Sequence, residues 1–131
     1  MNTQLFRAIV EHAPDAIIFA DREGLIRVWN RRAEAIFGYP EMEVMGGTLH
    51  VIIPERFRAA HDSGFRKAIA TGSARYASRV LTTRALRKDG KKTYVDLSFS
   101  ILLDDSGRAI GAVAIGRDVS DRLSANQREM R

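Results

Sequence analysis

The stretch KTYVDLSFSILL, residues 92–103, constrains the fold more than any other part of the chain. Val95, Leu97, Phe99 and Ile101 alternate with Tyr94, Asp96, Ser98 and Ser100. Successive side chains on a strand point to opposite faces, so this run has one apolar face and one polar face. Such a strand belongs in an antiparallel sheet that is covered on one side only.

The neighbouring sequence supplies partners for it. Residues 79–87 form a second strand-like run, and Asp89-Gly90 between the two is hairpin-turn chemistry. AIGAVAIGRDV, residues 109–119, follows the turn Asp104-Asp105-Ser106-Gly107, and its glycines and alanines are expected to leave room above the sheet. Near the N-terminus, DAIIFAD and LIRVWN flank the turn 21–24 and read as another hairpin.

Helical signals fall between and around these strands. Leu5, Ile9 and Val10 put an amphipathic helix over residues 2–12, ended by Pro14. Asn30 is a good N-cap for RRAEAIF, and Gly38 supplies a left-handed stop. Pro40, Gly46 and Gly47 break residues 40–53 into short turns. Pro54 opens a longer helix, expected over 55–70 with a stop at Gly72. Phe57, His61, Phe65 and Ile69 recur every four residues along it, which predicts one shared face. The polar tail 120–131 reads as a helix leaving the domain. The expected fold is α+β: a five-stranded antiparallel sheet, short helices on one face, and flanking N- and C-terminal helices.

Composition excludes several function classes. At 131 residues there is material for one core. The absence of cysteine removes disulfides, thiolate zinc sites, covalent haem and cysteinyl-flavin photochemistry. The net charge of +5 is scattered, and its densest cluster, Arg87-Lys88 with Lys91-Lys92, brackets a turn, so no direct nucleic-acid partner is expected. No apolar run reaches the ~20 residues of a membrane span, and the N-terminus lacks signal-peptide grammar. A cytoplasmic location is the default expectation. No nucleophile elbow, phosphate-binding glycine loop or zinc-protease helix is present, so no enzyme is expected. Asp104 and Asp105 read as solvated turn residues. His12 and His50 stand at helix-end or loop positions without metal-ligand spacing to His61.

DAIIFADREGLIRVWNRRAEAIFGY, LRKDGKKTYVDLSFSI and IGAVAIGRDVSDR, in that order, resemble the PAS family of sensory domains. The resemblance spans about residues 10 to 122. It implies a flanking helix over 1–13, a sensory domain over 14–119 and an exit helix over 120–131. It further implies a cavity for a small-molecule ligand or cofactor, signalling through the terminal helices, homodimers, and an effector domain or partner protein such as a histidine kinase or transcription regulator. Asp118, Ser120 and Arg122 match the family's exit motif, in which the acidic residue ties the last strand to the outgoing helix.

PERFRAAHDSGF, residues 54–65, resembles the helix of FixL-type haem-binding PAS domains, where the matching histidine is the proximal haem ligand. That likeness implies haem b with iron on His61, and gas or redox sensing. Phe57, Phe65, Gly64, Leu81, Phe99 and Ile115 would surround the cofactor, Gly64 by removing a side chain beside the ring. FixL-type strands carry an oxygen-stabilising arginine where this chain has Leu81, so carbon monoxide or nitric oxide fits the apolar wall better. Arg79 and Arg84 are the nearby alternatives. Two blander readings stand beside this one. His61 is then a half-buried helix residue without iron, or the domain is a ligand-free dimerisation module joined through Leu5, Phe6, Ile9 and Val10. Trp29 and the aromatics Phe19, Phe37 and Tyr39 read as core before they read as ligand contacts.

Overall fold

The computed structural model describes residues 2–73 and 79–120. Among these, α1 (Thr3–Glu11) precedes the hairpin β1 (Ala16–Asp21) and β2 (Ile26–Trp29). Then come α2 (Arg31–Phe37), α3 (Glu41–Val44), a 3-10 turn (Leu49–Ile52) and α4 (Glu55–Thr71). The alternating run is β4 (Lys92–Leu103), flanked in sequence by β3 (Val80–Leu86) and β5 (Ala109–Asp118). The five strands form one antiparallel sheet in the order β2-β1-β5-β4-β3. The exit helix expected over 121–131, with Arg122, lies outside the described residues. Among the described residues no helix is long and apolar enough to cross a membrane.

The sheet is covered in two ways. Over β1 and β2, Trp29, Phe37, Ile26, Ile36, Ala33 and Val44 are all buried in one core. The Trp29 and Phe37 rings meet at 5.5 Å, tilted by 44°, and the indole N–H donates to the Tyr39 carbonyl at 3.0 Å. Each such ring contributes about 1.5–3 kcal/mol by leaving water. Asn30 is the N-cap expected, accepting from the Ala33 N–H at 3.1 Å.

α4 lies against β5, with Phe65 beside Gly24 of the β1–β2 turn. It runs for 17 residues and stops where Gly72, at φ 71°, turns left-handed. None of those residues is buried. Beneath it, Leu97 and Phe99 of β4 and Ala112 and Ala114 of β5 face the helix yet are only half-buried. The glycines of β5 do not make that room. A Cβ at Gly116 would strike the Asp96 carbonyl and the Leu97 side chain, and the space at Gly111 is filled by the Phe19 ring. The alanines leave the gap.

Candidate functional site

The gap is a cavity of about 140 Å³ between α4 and the sheet. Its floor is Ile18 and Ala20 of β1, Leu97 and Phe99 of β4, and Ala112 and Ala114 of β5. Leu49, Ile52 and Ile53 close one end, and His61 and Phe65 form the roof. An apolar cavity of about 150 Å³ stays dry and accepts a benzene-sized solute. The size and lining therefore suit a small apolar group.

His61 is at the boundary between cavity and solvent, with its side chain 33% exposed. Its ring stacks on Phe65, centroids 6.3 Å apart and planes 24° apart. Nδ1 lies 3.3 Å from an Asp62 carboxylate oxygen. An ionised carboxylate only accepts, so Nδ1 is the donor in this contact. Asp62 also accepts from His50 Nε2, 2.9 Å from each carboxylate oxygen. The His50 hydrogen bond first, and the His61 bond second, hold the Asp62 carboxyl below the usual aspartate range. Arg58 adds a third tie, donating to the carbonyls of Ile53 at 3.0 Å and His50 at 3.1 Å. Polar contacts thus clasp α4 to the 3-10 turn where buried apolar contacts are missing.

Of the residues expected around a cofactor, His61, Phe65 and Phe99 meet at the cavity, and four others lie outside its wall. Phe57 is 43% exposed, with the Arg56 guanidinium 4.7 Å from its ring centroid. The cause is geometric. At 3.6 residues per turn, each four-residue step advances the side chain by about 40°, so a stripe from 57 to 69 spirals off any one face. Gly64 faces open space: a Cβ there would meet nothing within 4 Å. Ile115 is 40% exposed on the outer face, paired with Ser98 and Ile17 while Ala114 faces inward. Leu81 pairs with Leu97 and shares its face, beyond the cavity lining on the edge strand β3. Arg84 touches the wall but donates to the Tyr94 hydroxyl at 3.2 Å, and Arg79 is exposed ahead of β3.

Residues 4–119 match the family described as PAS fold. This chain is a member of the PAS family. Among curated proteins, it is 34% identical over 122 residues to an uncharacterised protein of Azorhizobium caulinodans, covering 92% of this chain and 16% of that one. It is 32% identical over 94 residues to the sensor protein FixL of Bradyrhizobium diazoefficiens, covering 70% of this chain and 18% of FixL. The chain therefore spans less than a fifth of either relative's length. Among solved structures, the PAS domain of a Colwellia psychrerythraea protein superposes with a TM-score of 0.76 at 20% identity, covering 90% of this chain and 97% of that domain.

Polar side chains join the PAS sheet to α1 and to the residues that directly follow β5. At the exit, the Asp118 carboxylate accepts from the Ser120 N–H at 2.8 Å. The Ser120 hydroxyl meets Thr93 Oγ1 at 2.9 Å and accepts from the Tyr94 N–H at 3.0 Å. The exit is thus fastened across to β4, whose Leu97 and Phe99 floor the cavity. At the entrance, buried Asn30 accepts from Ile17 N at 2.9 Å and donates to Val10 O at 2.8 Å and Asp15 O at 3.0 Å, in addition to capping α2. Arg117 and Asp15, 3.1 Å apart, pair the end of β5 with the start of β1. The His50 contact and three of Asn30's four bonds carry no local sequence signal, because each joins separate elements.

Proposed function

We propose that this PAS domain is a non-catalytic sensor module of a larger signalling protein, with residues 14–119 as the sensory unit. It holds a small ligand in the cavity beneath α4 and passes occupancy to its terminal helices. The observation that carries this reading is the pairing of an apolar cavity with a 17-residue helix that has no fully buried residue. A helix whose apolar face is only half-buried is weakly attached, because most helical stability in proteins comes from packing that face. A ligand that supplies that face binds the closed position of α4 better than an open one, and this difference is what shifts the population. The cavity floor then leads to Ser120 through β4 and to Asn30 through β1. Leu5, Phe6 and Ile9 of α1 are about half exposed (53%, 48% and 56%) and form the face through which a homodimer would join. The test is thermal melting with toluene as the probe. The melting temperature should rise with toluene for the natural chain and stay constant for Ala114→Leu, which fills the cavity. No rise in the natural chain ends the reading.

A second reading, haem b on His61, is favoured by the protonated Nδ1 facing Asp62. That partner fixes the tautomer and leaves Nε2 for iron, as in carboxylate–histidine–metal arrangements. The donor set fits haem, and bound haem would supply a gas-binding iron. The volume fits only with α4 displaced, since sites for drug-sized ligands run from roughly 300 to 1,000 Å³. Leu81 lies beyond the cavity lining and offers no hydrogen-bond donor. Under this reading the protein takes up added haemin with a Soret band that His61→Ala abolishes. A flat visible spectrum refutes it.

A further inference from the structure

The sheet has two edges, and they are protected unequally. β2 has four residues, and its ladder with β1 slips register between Phe19 and Ala20. Its open side begins already taken: Ile26 N–H donates to Gly47 O at 2.8 Å, and Gly46 N–H donates to Ile26 O at 2.9 Å. β3 has seven residues, keeps unbroken register with β4 and contains no proline. Which of its backbone groups face out follows from Tyr94, the residue opposite Arg84. The Tyr94 N–H donates to Ser120 Oγ at 3.0 Å, and its carbonyl accepts from Val119 N–H at 2.8 Å, so both turn away from β3. Opposed residues in an antiparallel ladder alternate between bonded and non-bonded pairs. Val80, Thr82, Arg84 and Leu86 therefore aim their N–H and C=O groups at the open edge. Among the described residues, no hydrogen bond from outside the sheet reaches these groups.

We propose that β3 is a self-pairing edge, which joins two copies of this chain by antiparallel β3–β3 contact into one continuous sheet. An unprotected edge strand is a template for another strand, and the sequence VLTTRAL selects a second copy as that strand. With the two-fold axis at Thr83, Val80 meets the partner's Leu86 and Thr82 meets the partner's Arg84, so the outward-aimed backbone groups face one another. On the helix-covered face Leu81 meets the partner's Ala85, and Thr83 meets its own copy. Apolar falls on apolar and polar on polar at every position, as an isologous contact requires. Charge agrees with this register. Thr82 donates to Asp96 Oδ1 at 2.6 Å, so each Arg84 guanidinium approaches the other chain's Asp96 carboxylate across its Thr82. Val80, 66% exposed in the single chain, gains a cover. An open cleft beside Arg84 and Leu86, bounded by Pro54 and Glu55, lies where the partner strand's Val80 end would run. This edge is separate from the α1 face and pairs whether or not the cavity holds a ligand.

Amide hydrogen exchange across a concentration series of the full chain, with sedimentation equilibrium beside it, tests the pairing. A seven-residue edge buries less than a standard interface, so the dimer is weak and is read at high concentration. The Thr82, Arg84 and Leu86 amides should exchange fast in dilute protein and slow as concentration rises. The Leu81, Thr83 and Ala85 amides, bonded to β4, should not respond. Thr82→Lys sets a cation opposite the partner's Arg84 at both symmetric places, and in its own chain stands opposite Asp96, so the monomer keeps its fold. It should weaken dimerisation about tenfold, the scale of two like-charge cross-strand pairs. Adding Arg84→Glu to that variant restores opposite charges across the axis and should restore the dimer. A dimer that ignores Thr82→Lys, or that the double variant fails to recover, overturns the proposed register. Edge amides still fast at about 1 mM, the Kd of a very weak complex, overturn self-pairing and leave the edge to a strand from a different protein.

Discussion

Two helices on the sheet are attached in opposite ways. α2 has seven residues and buries three of them, Ala33, Ile36 and Phe37. α4 has 17 and buries none. Helix length therefore says nothing about attachment here. The short helix is fixed by jigsaw packing, and the long one is held by a His50–Asp62–His61 cluster, an arginine and two half-buried rings. Packed interiors resist displacement because any shift opens a void, while a helix over a cavity has already conceded that cost. The packed helix specifies the fold, and the clasped one is free to respond.

The sharpest way to break this contrast is a pair of ring deletions. Phe37→Ala should cost about 3–5 kcal/mol in urea unfolding. Phe65→Ala, at the cavity roof, should cost less than about 1.5 kcal/mol, since it removes a partly exposed ring and enlarges an existing gap. Equal losses would mean that α4 is packed as firmly as α2. Overpacking gives a smaller effect of the same kind. Ala33→Leu should destabilise by about 1–3 kcal/mol, whereas Ala114→Leu should stay within about 1 kcal/mol of the natural chain because there is space for the added carbons. Chemical denaturation of both variants would settle the order.

The smallest effect concerns the clasp. The Asp62 carboxyl titrates below its unfolded value, so its contribution is present above pH about 3.9 and fades as pH falls through the lowered folded value. Asp62→Asn should speed amide hydrogen exchange in α4 at neutral pH, with the difference from the natural chain closing in acid. A difference that does not narrow at all as pH falls would assign the effect to something other than the carboxylate.

How much of this was legible in the sequence follows from the same contrast. β4 was readable because its period-two pattern separates apolar from polar side chains. β5 was not readable to the level of faces. Ala112 and Ala114 face in while Val113 and Ile115 face out, so both sides are apolar and alternation gives no direction. On α4 the periodicity found His61 and Phe65 but extended the stripe to Phe57, four residues too far for a helix of 3.6 residues per turn. The His50–Asp62 contact spans 12 positions across two elements, and nothing local announces it. Asn30 was visible as a cap, while its grip on β1 and the end of α1 needed three dimensions.

Asn30 also sets a chemical limit on how the domain can vary. Its amide has two hydrogens and one oxygen, and every one of them is engaged: the hydrogens by two carbonyls, the oxygen by two amides. Aspartate has the same outline but would aim a lone pair at each carbonyl, and leucine would leave four backbone groups stranded. One residue type in twenty satisfies that spot. The joint between the leading helix and the sheet therefore tolerates no gradual drift: a lineage either keeps this amide or must rebuild the way its first helix is attached.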